Sequence, residues 1–305
     1  MSSAIKPQII ISLSPSTYCN LRCSWCYLSK EELANSQLID LKKLSMTLNY
    51  ISSFYDIVHV DIYGGEPTLL PVNFALELHE LIKTYDCTTN VITNLTTLKH
   101  PLLYVCDSVG ISYDFNLREF HSLVKENIKL FPRDKHILTL ATNDLMSMSH
   151  EDIITQLSEL NIESWEIKPY SKSRNNQFDF DHDKYEQFVF DVHASDKPFM
   201  FINTDNILSS INFNNVSYSD NHIYITPNSE MCVLDFDEKD CEFFRFVPNM
   251  PYYVHWCKKE YDKYSKHQLC KACDYQHRCI SEHLLVTKEL KCNGFPNLIR
   301  MVEQC

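Results

Sequence analysis

The sequence predicts an α/β fold in which a parallel sheet curls into a partial (β/α)6 TIM-like barrel, followed by a C-terminal cysteine-rich extension. Six short β-type runs each precede a helical pattern over the first two thirds of the chain. Strands that alternate with helices in this way form parallel sheets with right-handed crossovers. The chain also has 13 cysteines among its 305 residues, and six of them fall after residue 255.

The six predicted strands are short runs rich in β-branched and other apolar residues. They cover residues 8–13, 57–63, 88–93, 108–114, 137–142 and 164–169. Helical spacing of apolar side chains lies between them, for example at Leu41, Leu44, Leu48 and Ile51. Ligands of a parallel barrel bind at the C-terminal ends of its strands, so the functional residues are expected there.

The character of the chain changes after residue 169. Residues 171–183 are polar and predict a linker, whereas 185–193 predict a helix and 199–203 a strand. Two further β-type runs, 222–226 and 231–234, flank a Pro-Asn-Ser turn and predict a hairpin. We therefore divide the chain into a barrel, residues 1–200, and an extension, residues 201–305.

Composition excludes several classes of function. The formal net charge of −12 would repel a phosphate backbone, so no nucleic acid is expected as a partner. No apolar run approaches the ~20 residues that span a bilayer, and no signal peptide precedes the first strand. We therefore expect a cytoplasmic protein without a membrane partner. Because disulfides are rare in that reducing compartment, the many cysteines indicate metal ligation.

The first cysteine cluster is a C-x3-C-x2-C motif directly after the first predicted strand. Its members, Cys19, Cys23 and Cys26, can hold three corners of a cubane iron–sulfur cluster. The fourth iron then has no protein ligand and can bind a substrate or cofactor. The alternative is a zinc ion held by the three cysteines and a distant histidine.

This motif and its surroundings, residues 17–27, resemble the signature loop of the radical S-adenosylmethionine (SAM) superfamily. Tyr63-Gly64-Gly65-Glu66-Pro67 resembles the GGEP motif of the same family. The resemblance implies a [4Fe–4S] cluster on the three cysteines and binding of the SAM amino group by Gly64, Gly65 and Glu66. Trp25 would pack over the adenine or the cluster, or else belong to the core.

Two further strand ends resemble family positions. Thr93-Asn94 ends the third predicted strand, and the fourth, Gly110-Ile111-Ser112-Tyr113-Asp114, is similar to the GISxDG segment of peptide-modifying members. Leu95 and Phe115 stand where the family has glycine. The resemblance implies that Asn94, Ser112 and Asp114 contact SAM or substrate, and the alternative is that they cap the following turns.

Four C-terminal cysteines have the spacing C-x2-C-x5-C-x12-C, which could close around one metal or cluster. They are Cys270, Cys273, Cys279 and Cys292. The segment resembles the SPASM extension of radical SAM enzymes, which implies at least one auxiliary [4Fe–4S] cluster on these four residues. His283 stands where that pattern has a further cysteine.

Cys232 and Cys241 admit several interpretations. They are buried thiols, or ligands of a second cluster together with His283, or partners of Cys270 and Cys273 as in the smaller twitch extensions. Zinc in the four-cysteine site is a further alternative. A cysteine that faces the active site could also donate a hydrogen atom to a substrate radical, and Cys232 and Cys241 are the candidates.

The resemblance is closest to peptide-modifying maturases and implies radical modification of a ribosomally made peptide. Oxidative side-chain crosslinking is the preferred reaction, with epimerisation second. Cys19 lies so near the N-terminus that no fused leader-binding domain is expected, so the precursor would bind the barrel and extension directly or use a separate leader-binding protein. A one-electron reductant such as flavodoxin or ferredoxin is also expected. The alternatives are a twitch-type dehydrogenase of an aminocyclitol or sugar alcohol and a zinc-stabilised binding module.

Overall fold

The computed structural model describes residues 6–169, 173–175, 180–213, 221–237, 242–280, 292 and 294–304. Within these residues, ten strands form one sheet in the order β10-β9-β8-β1-β2-β3-β4-β5-β6-β7. The strands are β1 (Gln8–Leu13), β2 (Asp56–Ile62), β3 (Thr88–Thr93), β4 (Ser108–Ser112), β5 (His136–Ala141), β6 (Ser164–Pro169), β7 (Met200–Phe201), β8 (His222–Ile225), β9 (Met231–Asp237) and β10 (Glu242–Phe246).

Among the described residues, eight α-helices lie between consecutive strands from β1 to β8, and three more follow β10. They are α1 (Lys30–Ala34), α2 (Leu41–Ser52), α3 (Val72–Lys83), α4 (Leu102–Val105), α5 (His121–Leu130), α6 (His150–Glu159), α7 (His182–Ala194), α8 (Ile202–Phe213), α9 (Met250–Lys266), α10 (Gln268–Lys271) and α11 (Pro296–Glu303). Neighbouring strands from β1 to β7 are all parallel. The predicted partial (β/α) barrel is therefore confirmed.

The predicted hairpin is also confirmed, and it joins the barrel sheet. β8 pairs parallel to β1, with Leu13 opposite Ile225, and β9 and β10 follow in antiparallel pairing. Strands on both sides of residue 200 thus share one sheet, and the division into two domains stays a prediction. The strand predicted over 199–203 is wrong beyond Phe201, because α8 begins at Ile202.

The core consists of the apolar residues that alternate along the strands and face the helices. Ile9, Ile11 and Leu13 of β1 are fully buried in one cluster with Leu44 and Leu48 of α2. Burial of each such side chain contributes about 1.5–3 kcal/mol. Intervening strand positions carry polar residues such as Asn90 and Ser112 as well as apolar ones such as Ile92 and Leu138. The C-terminal ends of the strands lead into the loops that form the site described below.

The C-terminal helix packs against the barrel through a buried carboxylate. Glu186 of α7 is 5% exposed and accepts hydrogen bonds from the backbone N and side-chain Nδ2 of Asn297, at 3.2 and 3.0 Å. It therefore caps the N-terminus of α11, where backbone N–H groups lack partners within the helix. This contact holds the segment that follows Cys292 beside α7. No helix in the described part of the chain has the length and hydropathy of a membrane span.

Candidate functional site

A cavity of about 460 Å³ lies at the C-terminal ends of the strands, and we call it the reaction cavity. The ends of β5 and β6 form one wall, and α7 and α8 close another. Many of the residues selected from the sequence line it together. These are Cys19, Cys23, Trp25, Cys26, Gly64, Gly65, Glu66, Asn94 and Ser112.

Backbone contacts hold the cysteine loop against the glycine pair. Gly65 N donates to Ser16 O at 3.0 Å, and Glu66 N donates to Tyr18 O at 2.7 Å. A Cβ atom on Gly65 would lie 2.1 Å from Tyr18 O, and Gly64 has a φ of +119°. Only glycine allows this approach, so the pair positions the loop that carries the three cysteines.

The three thiols of this loop influence one another electrostatically. Burial, together with the charges of Asp114, Cys26 and Cys19, raises the pKa of the Cys23 thiol to about 11. Burial likewise raises the pKa of Cys19 and Cys26. The Arg118 guanidinium opposes this effect at all three cysteines. The loop is thus a partly desolvated thiol cluster beside the Arg118 guanidinium.

Arg118 is a site residue that sequence reasoning missed. It lines the reaction cavity and forms an ion pair with Asp114, whose side chain is only 2% exposed. Arg118 Nε donates to Asp114 Oδ2 at 2.6 Å, and Leu140 N donates to Asp114 Oδ1 at 2.7 Å. Asp114 lies behind the cavity wall and holds Arg118 in place. The i,i+4 spacing was visible in the sequence, but it indicates a pair only once the local backbone conformation is known.

Glu66 connects the ends of β2 and β3. Its buried Oε1 accepts hydrogen bonds from Thr68 N, Thr68 Oγ1 and Thr93 Oγ1, at 3.0, 2.6 and 2.6 Å. Its Oε2 accepts one from Asn94 N at 2.7 Å. A carboxylate oxygen has two acceptor sites, so Oε1 with its three donors has none left, whereas Oε2 can accept one more donor.

Asn94 lies at the same strand ends as Glu66, and Leu95 and Phe115 stand at positions where glycine was expected. Asn94 Nδ2 donates to Asn20 Oδ1 at 2.9 Å, which links the end of β3 to the cysteine loop. Leu95 and Phe115 have φ of 51° and 55° and are at most 1% exposed. The left-handed backbone expected for glycine is therefore present without glycine, and buried side chains offset its steric cost.

The C-terminal cysteines lie beside another wall of the same cavity. The cavity lining includes Ile280, which follows Cys279, and Phe295 and Leu298, which come after Cys292. A Cβ on Gly294 would lie 2.7 Å from Cys279 Sγ and 3.3 Å from Cys292 Sγ. Burial raises the pKa of Cys270, and the charges of Cys292 and Cys273 raise it further. The four cysteines selected by spacing are therefore neighbours.

Of the three remaining candidates, Cys232, Cys241 and His283, the structure describes Cys232 alone. Cys232 is 5% exposed, while Leu234 on the same face of β9 reaches the reaction cavity. Cys241 and His283 lie outside the described residues. Among the residues that the structure describes, no three Cys, His, Asp or Glu side chains are grouped closely enough to hold a single metal ion.

Comparisons with known proteins identify the fold. No protein-family model and no curated protein match the sequence. The structure is similar to anSMEcpe with bound AdoMet and Cp18Cys peptide, at a TM-score of 0.73 and 16% identity over 98% of this chain and 96% of that one. It is also similar to Streptococcus suis SuiB bound to its precursor peptide SuiA, at a TM-score of 0.60 and 16% identity over 90% and 71% of the two chains. The chain shares the fold of these two proteins.

Proposed function

We propose that this chain is a radical SAM enzyme that modifies a peptide. The observation that carries the proposal is the shared reaction cavity, where the three cysteines after β1 meet the glycine pair and Glu66 after β2. The fold supports it, because solved structures of that fold hold AdoMet in anSMEcpe and peptides in anSMEcpe and SuiB.

The donor set fits an iron–sulfur cluster better than a single zinc ion. Zinc binds thiolates at about 2.3 Å, which brings their sulfurs to within roughly 3.8 Å of one another. Neighbouring thiols are present, but no three of those in the described residues are grouped closely enough to bind one metal ion. A cubane attaches each cysteine to a different iron, so Cys19, Cys23 and Cys26 would hold three of its corners. When bound, such a cluster would supply the electron that cleaves SAM and starts radical chemistry.

The residues around the cluster would orient SAM. The Oε2 atom of Glu66 has one remaining acceptor site and can receive an N–H of the SAM ammonium group. The Arg118–Asp114 pair places a fixed positive charge on the cavity wall beside the cysteines. Trp25 and Ser112 lie on that wall as well, and their contact with SAM or substrate remains part of the proposal.

The C-terminal cysteines favour oxidation of the peptide. We propose that Cys270, Cys273, Cys279 and Cys292 hold an auxiliary [4Fe–4S] cluster beside the cavity. A cluster in this position can accept the electron that a substrate radical must lose before a crosslink forms. Epimerisation is the second candidate reaction, and it requires a hydrogen-atom donor instead. The reductant, such as flavodoxin or ferredoxin, and a leader-binding protein complete the proposed partners.

Metal analysis separates this proposal from a zinc-binding module. We expect anaerobically prepared protein to contain iron and acid-labile sulfide, and a Cys270→Ala/Cys273→Ala variant to lose part of both. Retention of the remaining iron would assign the first cluster to the N-terminal cysteines. Zinc without sulfide would overturn the proposal.

Mass spectrometry of a peptide encoded next to this protein tests the substrate class. Co-expression should modify the peptide: a crosslink lowers its mass by two hydrogens, whereas an epimer leaves its mass unchanged. Chiral amino-acid analysis after hydrolysis detects the epimer. An active, reconstituted enzyme that leaves the peptide unchanged would favour the alternative of a small-molecule dehydrogenase.

A further inference from the structure

Two tyrosines separate the reaction cavity from a second cavity of about 320 Å³. Tyr27 and Tyr63 line both cavities, and we call them the tyrosine wall. Tyr27 directly follows Cys26, and Tyr63 directly precedes Gly64. Both rings therefore lie next to the elements that would hold the cluster and SAM.

The two rings line the same boundary between the cavities, and Tyr63 lies on the wall of the reaction cavity. Burial raises the pKa of Tyr63 far above its ordinary value, so its hydroxyl keeps its proton. A neutral phenol is a good donor of a hydrogen atom to a carbon radical, because the phenoxyl radical is delocalised over the ring. The tyrosine wall thus places the protonated phenol of Tyr63 at the edge of the cavity for which radical chemistry is proposed.

A thiol lies behind the tyrosine wall. The ring of Tyr224 meets that of Tyr63 edge-on, with centroids 6.1 Å apart, and Tyr224 is paired with Cys232 across β8 and β9. Paired residues on neighbouring antiparallel strands project to the same face of the sheet, so the Cys232 side chain lies beside Tyr224, which contacts Tyr63. Burial raises the pKa of Cys232 to about 12, which keeps its S–H bond intact.

We propose that Tyr63 donates a hydrogen atom to radicals in the reaction cavity and that Cys232 restores it. In the first step a carbon radical gains a C–H bond, the Tyr63 O–H bond breaks, and a tyrosyl radical remains. In the second step the Cys232 S–H bond breaks and the Tyr63 O–H bond is re-formed. The resulting thiyl radical takes one electron from the one-electron reductant and one proton from solvent.

This inference rests on the proposed function and refines it. Cys232 was a candidate for direct hydrogen donation, but Tyr63 lines the reaction cavity, whereas Cys232 does not and lies beside Tyr224. A peptide radical that receives hydrogen from Tyr63 returns to the oxidation state of the substrate. The tyrosine wall therefore favours epimerisation as the outcome for a residue held beside it.

Cleavage of SAM in deuterium oxide, without any peptide, tests the donor. Tyrosine O–H and cysteine S–H exchange with solvent, so wild-type protein reduced with dithionite should release 5′-deoxyadenosine that carries one deuterium. Tyr63→Phe keeps the ring and removes the O–H, and it should lower the deuterated fraction several-fold. Tyr104→Phe, whose hydroxyl donates to Leu98 O away from the cavity, is the matched control and should match wild type.

Spectroscopy separates Tyr63 from its neighbours. In Cys232→Ala the label should persist, and a tyrosyl radical should accumulate in the electron paramagnetic resonance spectrum because its repair is lost. Equal deuteration in wild type and Tyr63→Phe, or a loss of label in Tyr27→Phe alone, would overturn the inference. Absence of 5′-deoxyadenosine from every variant would instead contradict the proposed function.

Discussion

Replacing Glu66 by glutamine tests whether this residue organises the site before any ligand binds. Its carboxylate receives four hydrogen bonds from Thr68, Thr93 and Asn94. A glutamine can keep one oxygen towards the two threonines, but its NH₂ group must then face the N–H of Asn94. The change therefore replaces an acceptor with a donor at a buried contact of 2.7 Å.

The expected loss follows from that single contact. A hydrogen bond to a charged group contributes about 1.5–3 kcal/mol, and a buried N–H without an acceptor adds a similar cost, so we expect a loss of ~3 kcal/mol. For a chain of this size, that corresponds to a fall of roughly 5 °C in Tm.

Differential scanning calorimetry on protein free of iron and SAM measures this effect without cofactor binding. Glu77→Gln on the exposed face of α3 is the control and should leave Tm unchanged within error. If Glu66→Gln and Glu77→Gln unfold at the same temperature, the structural role of Glu66 is refuted. A defect seen only with SAM present would mean that Glu66 acts through the ligand alone.

Three further predictions concern the loop, the ion pair and the C-terminal helix. Gly65→Ala should prevent iron incorporation, because its Cβ would collide with the backbone of the cysteine loop. Gly110→Ala is the control and should retain iron, because the nearest atom to its Cβ belongs to a flexible leucine side chain at 3.1 Å. Arg118→Gln leaves Asp114 buried without its cation, so chemical denaturation should show a loss of about 3–5 kcal/mol, and Arg118→Lys should lose less. Glu186→Gln removes a charged cap, and amide hydrogen exchange in α11 should accelerate while exchange in β1 stays unchanged.

Much of the barrel could be predicted because its signals are local. The apolar runs of β1, β3 and β6 match the observed strands residue for residue, and their alternation with helices determines a parallel sheet. The cysteine spacing and the glycine pair could also be selected locally, since the same short segments carry the chemistry. The meeting of these segments in one cavity follows from the strand ends of a parallel sheet.

Other features depend on contacts between distant residues and left no local signal. The pairing of β8 with β1 joins segments more than 200 residues apart, and periodicity gives no partner for a strand. Asp114 has the sequence position of a ligand contact, yet its carboxylate is committed to Arg118 and Leu140. Leu95 has the left-handed backbone expected of a glycine, because its buried packing offsets the steric cost of that conformation.

Release of 5′-deoxyadenosine tests the central claim most directly. Anaerobically reconstituted protein, supplied with SAM and a strong one-electron reductant, should produce this nucleoside and methionine, and Cys23→Ala should produce neither. Chromatography with mass detection quantifies both products. Protein that contains iron and sulfide but leaves SAM intact under these conditions would contradict the account.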